Sequence, residues 1–223
     1  MMNIDFIPRL TSSGDWATLL FILTFVLLTV NRNVFAMRFN DYIRLIYSDK
    51  YLKIYKDSSN LKSWFTISLF FIQLISFSFF IHITLSYLDY SNINSFIDFL
   101  KIFNFLTFFI VGKYLIEKII ANFFNINEFT DQYNLIKVNY RTYLGLLILP
   151  VSMFLFYTKT QEIYIIYVVL SIILLTNLIM YSVILKNHQK LILKHILYFI
   201  LYLCTLEIAP YLLIYKLLAT SKF

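Results

Sequence analysis

The sequence predicts an all-α fold: a polytopic membrane protein with about six transmembrane helices and a basic amphipathic interfacial segment after the first. Three observations predict it. The chain is 60% hydrophobic and only 14% charged, against about 45–50% and 25% in soluble domains. Its mean hydropathy is +0.74. The apolar residues also fall in blocks of the length that crosses a hydrocarbon core about 30 Å thick. Three glycines and three prolines in 223 residues leave little material for long loops, so the blocks read as mostly unbroken helices. A membrane barrel would alternate apolar and polar residues over segments of about ten, and these runs are apolar on every side.

One integral membrane domain covers 1–223. Span one, at 12–31, is built on 16-WATLLFILTFVLLTV-30. A cleavable leader would need a basic stretch ahead of it. Asp5, Arg9 and Asp15 give net −1 instead, so the span is read as retained. Segment 32–63 follows, carrying seven basic against three acidic residues, net +4. Within it Phe35, Phe39, Tyr42, Ile43 and Ile46 recur at helical spacing with basic residues between. That is the pattern of a helix in the interface plane, with Arg38, Arg44, Lys53 and Lys56 touching lipid headgroups. A cap packed on the same protein is the competing reading.

Span two, at 64–88, is long enough to cross with some tilt. Span three, at 98–120, loses its apolar character at Gly112, after which Lys113, Glu117 and Lys118 appear. Lys113 and Glu117 stand four apart, a spacing that predicts an ion pair at the inner boundary. Span four, at 142–158, is short and holds Pro150, which frees a backbone carbonyl and predicts a bend. Spans five and six are placed at 162–186 and 194–217.

Charge sets the expected orientation. The segments before span one, after span two and after span four carry −1, −1 and 0, whereas those after spans one and five carry +4 and +3. Positive residues favour the cytoplasm. The expectation is a bacterial inner (cytoplasmic) membrane with the N-terminus periplasmic and 32–63 cytoplasmic; Lys216 and Lys222 dissent. Basic residues confined to segments beside apolar runs point to headgroups, not to nucleic acid.

One carboxylate, Glu207, stands inside span six, where exposure to lipid would cost at least about 2.5–3.5 kcal/mol. At about 1.5 Å per residue it lies about 18 Å above the inner boundary, Gln73 about 14 Å and Asn104 about 21 Å. An intramembrane polar cluster of Glu207, Gln73 and Asn104 is therefore expected. Burial penalises the charged form of Glu207, which makes a proton site conceivable. Interhelical bonding, worth about 1 kcal/mol, is preferred, because pumps line a path with several ionisable groups and here one stands alone. Pro210 cannot donate to the carbonyl of Leu206, leaving an acceptor beside Glu207 and a second expected bend.

Cys204, a lone cysteine in an apolar run, reads as packing material. His188 and His195 share a helix face without a carboxylate or thiol beside them, a weak metal signal. No Gly-rich phosphate loop, HExxH or GxSxG is present, so neither catalytic residues, metal nor cofactor is expected.

The element 203-LCTLEIAP-210, with 31-NRNVF-35 after Trp16 and 144-LGLLILP-150, resembles a family of small polytopic proteins from Bacteroidota catalogued as a domain of unknown function. The likeness covers nearly the whole chain and implies an inner-membrane protein of a Gram-negative bacterium. It carries no reaction or substrate. Short exposed loops leave no room for an external working domain. The expected role is thus a non-catalytic subunit or scaffold of a larger complex, with other integral membrane proteins and the bilayer as partners and protein export or secretion as its setting. The alternative is a proton-coupled carrier of a small solute using Glu207.

Overall fold

The structure, a computed structural model, describes residues 15–46, 51, 54, 55, 63–123, 127–158 and 163–187. These form six α-helices: α1 (Asp15–Val34), α2 (Ala36–Ile43), α3 (Trp64–Tyr87), α4 (Phe96–Phe123), α5 (Asn127–Thr158) and α6 (Ile163–Asn187). A 3₁₀ turn, Arg44–Ile46, extends α2, and no strand occurs among the described residues. Four helices are long and apolar enough to cross a membrane: α1, α3, α4 and the Tyr133–Thr158 part of α5. In α6 the apolar stretch with described side chains is shorter, Tyr164–Thr176.

Local chemistry places the helix ends. The Ser63 hydroxyl accepts the Thr66 N–H at the start of α3, satisfying one of the donors that a helix N-terminus leaves open. At its far end Asp89 has φ of 61°. The Tyr90 N–H donates to the Leu85 carbonyl, and the Asp89 N–H to that of Ser86. Those two bonds are the left-handed stop in which a short polar residue can replace glycine. The Ser95 hydroxyl then accepts the Asp98 N–H and opens α4.

Helix α3 is the hub. It touches α1, α4 and α5, while α6 packs on α5. Helix α1 runs antiparallel to α3, with Trp16 stacked on Phe79 at 5.8 Å and Asn31 donating to the Phe65 carbonyl. Three clusters fill the interior. Phe39, Tyr42, Tyr51, Phe65, Tyr133 and Tyr140 fill the end where the basic segment lies. Phe21, Phe79, Phe99 and Phe156 fill the opposite end. Phe80, Ile148, Ile166 and Val169 seat α6.

Helix bounds lie within a few residues of the expected runs for α1, α3, α4 and α6. Helix α5 departs: it begins at Asn127, fifteen residues before the predicted 142. Its first half is polar, but Thr130, Tyr133, Asn134, Ile136, Asn139 and Tyr140 all turn inward. Tertiary burial of that stripe, more than hydropathy, carries the helix there. The run at 194–217 lies outside the described residues. Of the segment expected in the interface plane, α2 and its 3₁₀ turn bury Phe39, Tyr42 and Leu45 in the core, while Met37 and Ile43 remain exposed.

Candidate functional site

The buried polar side chains fall in three places along the bundle. At the basic end, Arg38 reaches from α2 into the core. Its Nε donates to the Tyr51 hydroxyl, Nη1 to Ser63 Oγ at 3.0 Å and Nη2 to Thr66 Oγ1. The guanidinium also lies 4.8 Å over the Tyr55 ring and 4.6 Å over that of Phe65, contacts in which the cation is attracted by the ring faces. Beside it the Tyr42 hydroxyl lies 2.6 Å from Thr142 Oγ1 and donates to the Asn139 carbonyl at 3.0 Å. Burial pushes the Tyr42 phenol far above its ordinary value. Burial also raises Tyr51, against the opposing pull of Arg38.

At the same end, Lys137 of α5 donates to the Glu117 carboxylate of α4 at 2.7 Å. Their side chains are 12% and 2% exposed, and the ammonium sits 5.4 Å over the Tyr133 ring. This is a buried ion pair, and removing one partner would strand the other charge.

Mid-bundle, Gln73 is 0% exposed, and neither end of its amide has a hydrogen-bond partner among the described residues. It lies where α3 and α5 approach closely. A Cβ added at Gly145 would stand 2.8 Å from the Gln73 Cα, so only glycine fits there. Ser76 and Ser152 are likewise buried with unpartnered hydroxyls. At the far end His82 Nε2 lies 3.2 Å from the Ile93 carbonyl, and Trp16 donates to the Asn94 carbonyl. Both contacts tie the α3–α4 turn to the bundle.

Of the residues singled out in the sequence, Glu207, Pro210, Lys53 and Lys56 lie outside the described residues. Gln73 faces Gly145 inside the bundle, whereas Asn104 is exposed on α4, so these two are not brought together. Glu117 has a partner across helices in Lys137, a contact that the i,i+4 spacing of Lys113 and Glu117 did not suggest. Arg38 is turned into the protein, while Arg44 is exposed. Pro150 sits inside α5, which continues through it to Thr158. Sequence reasoning missed Lys137, Tyr42 and the Gly145 contact. A small residue in an apolar run was a usable signal for the last. Nothing local marked Lys137 as the partner of Glu117.

The outer surface completes the picture. Leu19, Val26, Phe108, Ile119 and Leu174 are all widely exposed, a density of outward apolar side chains that water does not tolerate and lipid does. Long apolar helices around a polar-stitched interior define the class: a helical, polytopic membrane protein. Within that class the chain belongs to the family described as Domain of unknown function (DUF4271), which matches residues 17–218. No curated protein and no solved structure matches it.

Proposed function

We propose that the chain is a non-catalytic integral subunit of a larger assembly in the bacterial inner membrane, with its N-terminus periplasmic and residues 32–63 cytoplasmic. One observation supports this reading above the rest: the interior polar side chains that have partners join one helix to another. Arg38 ties α2 to the start of α3, Tyr42 ties α2 to α5, and Glu117 with Lys137 ties α4 to α5. All three lie toward the basic end of the bundle, and each finds its partner in the protein. This is the arrangement of a scaffold that holds a fixed shape for other membrane proteins. Arg44 is exposed and free to meet anionic headgroups, and the positive charge of 32–63 in the sequence favours the cytoplasmic side.

Affinity purification in a gentle detergent tests it. The expected outcome is companion chains in fixed stoichiometry, whose identity decides whether the assembly serves protein export or secretion. Recovery of the chain by itself, with a transport or enzymatic activity of its own, would contradict the reading.

A second reading is favoured by Gln73, a buried mid-bundle amide with both ends unpartnered, a type of group that ordered water often satisfies. A proton-coupled carrier would place such water on a path to Glu207. Under that reading Glu207→Gln abolishes solute uptake while any complex stays assembled. Loss of the complex under the same substitution favours the subunit.

A further inference from the structure

Along the seam where α3 packs on α5, three buried polar side chains have no hydrogen-bond partner among the described residues. Gln73 is 0% exposed, Ser76 1% and Ser152 0%, and both ends of the amide and both hydroxyls are unpartnered. Other hydroxyls on the long helices meet the same difficulty locally. Thr24, Thr29, Thr84 and Thr107 each donate to a carbonyl three or four residues earlier on their own helix, the usual recourse of a hydroxyl inside a helix. Ser76 and Ser152 do not take it. An amide and two hydroxyls left unpaired would carry the full penalty of desolvation.

We propose that the α3–α5 seam encloses bound water that bridges Gln73, Ser76 and Ser152. The spacing supports it. Helices α3 and α5 run parallel, since Phe65 and Tyr133 share the cluster at the basic end and Phe79 and Phe156 the cluster at the opposite end. Gly145 lies against the Cα, Cβ and Cγ of Gln73, which puts these two positions at one level. At about 1.5 Å per residue, Ser76 stands about 4.5 Å beyond Gln73 and Ser152 about 10.5 Å beyond Gly145, so the hydroxyls are about 6 Å apart along the axis. A direct hydrogen bond does not cover that interval, whereas one water bonded at about 2.8 Å on each side spans about 5.5 Å. The faces agree too. Residues 73 and 76 stand three apart on α3, and 145 and 152 seven apart on α5, spacings that keep side chains on one side of a helix. The amide offers a donor and an acceptor, and each hydroxyl can act as either, which supplies the partners an enclosed water needs. All three side chains are sealed from the surface, so this water is a part of the fold, present whether the chain is a subunit or a carrier.

Ser76→Ala, Ser152→Ala and the double variant, compared by chemical denaturation in mixed micelles, supply the test. Each alanine removes a group that holds the water, so each single variant should lower the midpoint. The double variant should lower it by less than the sum of the two, because hydroxyls that do not touch couple only through what lies between them. In a dry seam each alanine would instead delete an unpaired hydroxyl, and the midpoint would rise or stay. Radiolytic labelling of the unmutated protein gives a second readout that does not depend on any variant folding. Hydroxyl radicals formed from an enclosed water attack the side chains beside it. Phe80, buried with Ile148 next to the seam, should therefore be oxidised several-fold faster than Phe21, equally hidden in the cluster at the opposite end. Unchanged or raised midpoints, strictly additive losses, or labelling of Phe80 no faster than of Phe21 would each overturn the proposal, and none of these depends on whether companion chains co-purify.

Discussion

Tyr42 carries two hydrogen bonds on one fully buried hydroxyl, and losing them is measurable. Tyr42→Phe keeps the ring contacts with Tyr51 and Phe65 and removes only the hydroxyl. The expected loss is about 0.5–1.5 kcal/mol of stability, read as a lower melting temperature in detergent. The same group sets an alkaline limit. Folding raises the Tyr42 and Tyr51 values above the ordinary phenol value of about 10. Their contribution is therefore fully present below pH 10 and is lost as pH rises through the folded values. Melting temperature should fall above pH 10, and less steeply in Tyr42→Phe; an identical slope in the two proteins would remove Tyr42 from the explanation.

The pair of Glu117 with Lys137 makes a sharper claim about residues. Glu117→Ala removes the carboxylate that the Lys137 ammonium, 12% exposed, contacts at 2.7 Å and should cost about 3–5 kcal/mol. Adding Lys137→Met should restore most of that, because an apolar pair no longer carries a buried charge. If the double variant is as weak as the single one, the ion pair is not what joins α4 to α5 there.

At the scale of elements, the contact of α3 with α5 rests on Gly145. Its missing Cβ leaves room for the backbone of Gln73 at a separation no side chain allows. Gly145→Ala must push the helices apart, at about 1–3 kcal/mol. Chemical denaturation in mixed micelles should resolve the loss, and an unchanged midpoint would mean that the interface yields freely. This scale also shows how much could be read in advance. Continuous apolar runs made α1, α3 and α4 legible to within a few residues, because a stretch such as 64-WFTISLFFIQLISFSFF-80 has few other stable forms in lipid. The first half of α5 was not legible, since Asn134 and Asn139 look like loop residues until the packed helices bury them. The candidate site was legible in part. Depth counting found Gln73 as a buried polar residue, but the inward turn of Arg38 and the partner of Glu117 depend on which helices become neighbours. A single sequence does not encode that neighbourhood locally.

At the scale of the whole molecule, α3 touches three other helices, and polar joints at both ends fix their relative positions. A bundle fastened in this way is suited to holding neighbours in register more than to alternating between two shapes, which would require those joints to break and re-form. Its outward face is apolar along several helices, so any companions meet it within the bilayer. The most direct measurement is the detergent-corrected mass of the gently solubilised particle, set against the 26.7 kDa of the single chain. The account predicts a discrete particle well above that mass, containing other membrane proteins in constant ratio. A homogeneous particle of one chain, folded and unaccompanied at native expression level, would contradict it.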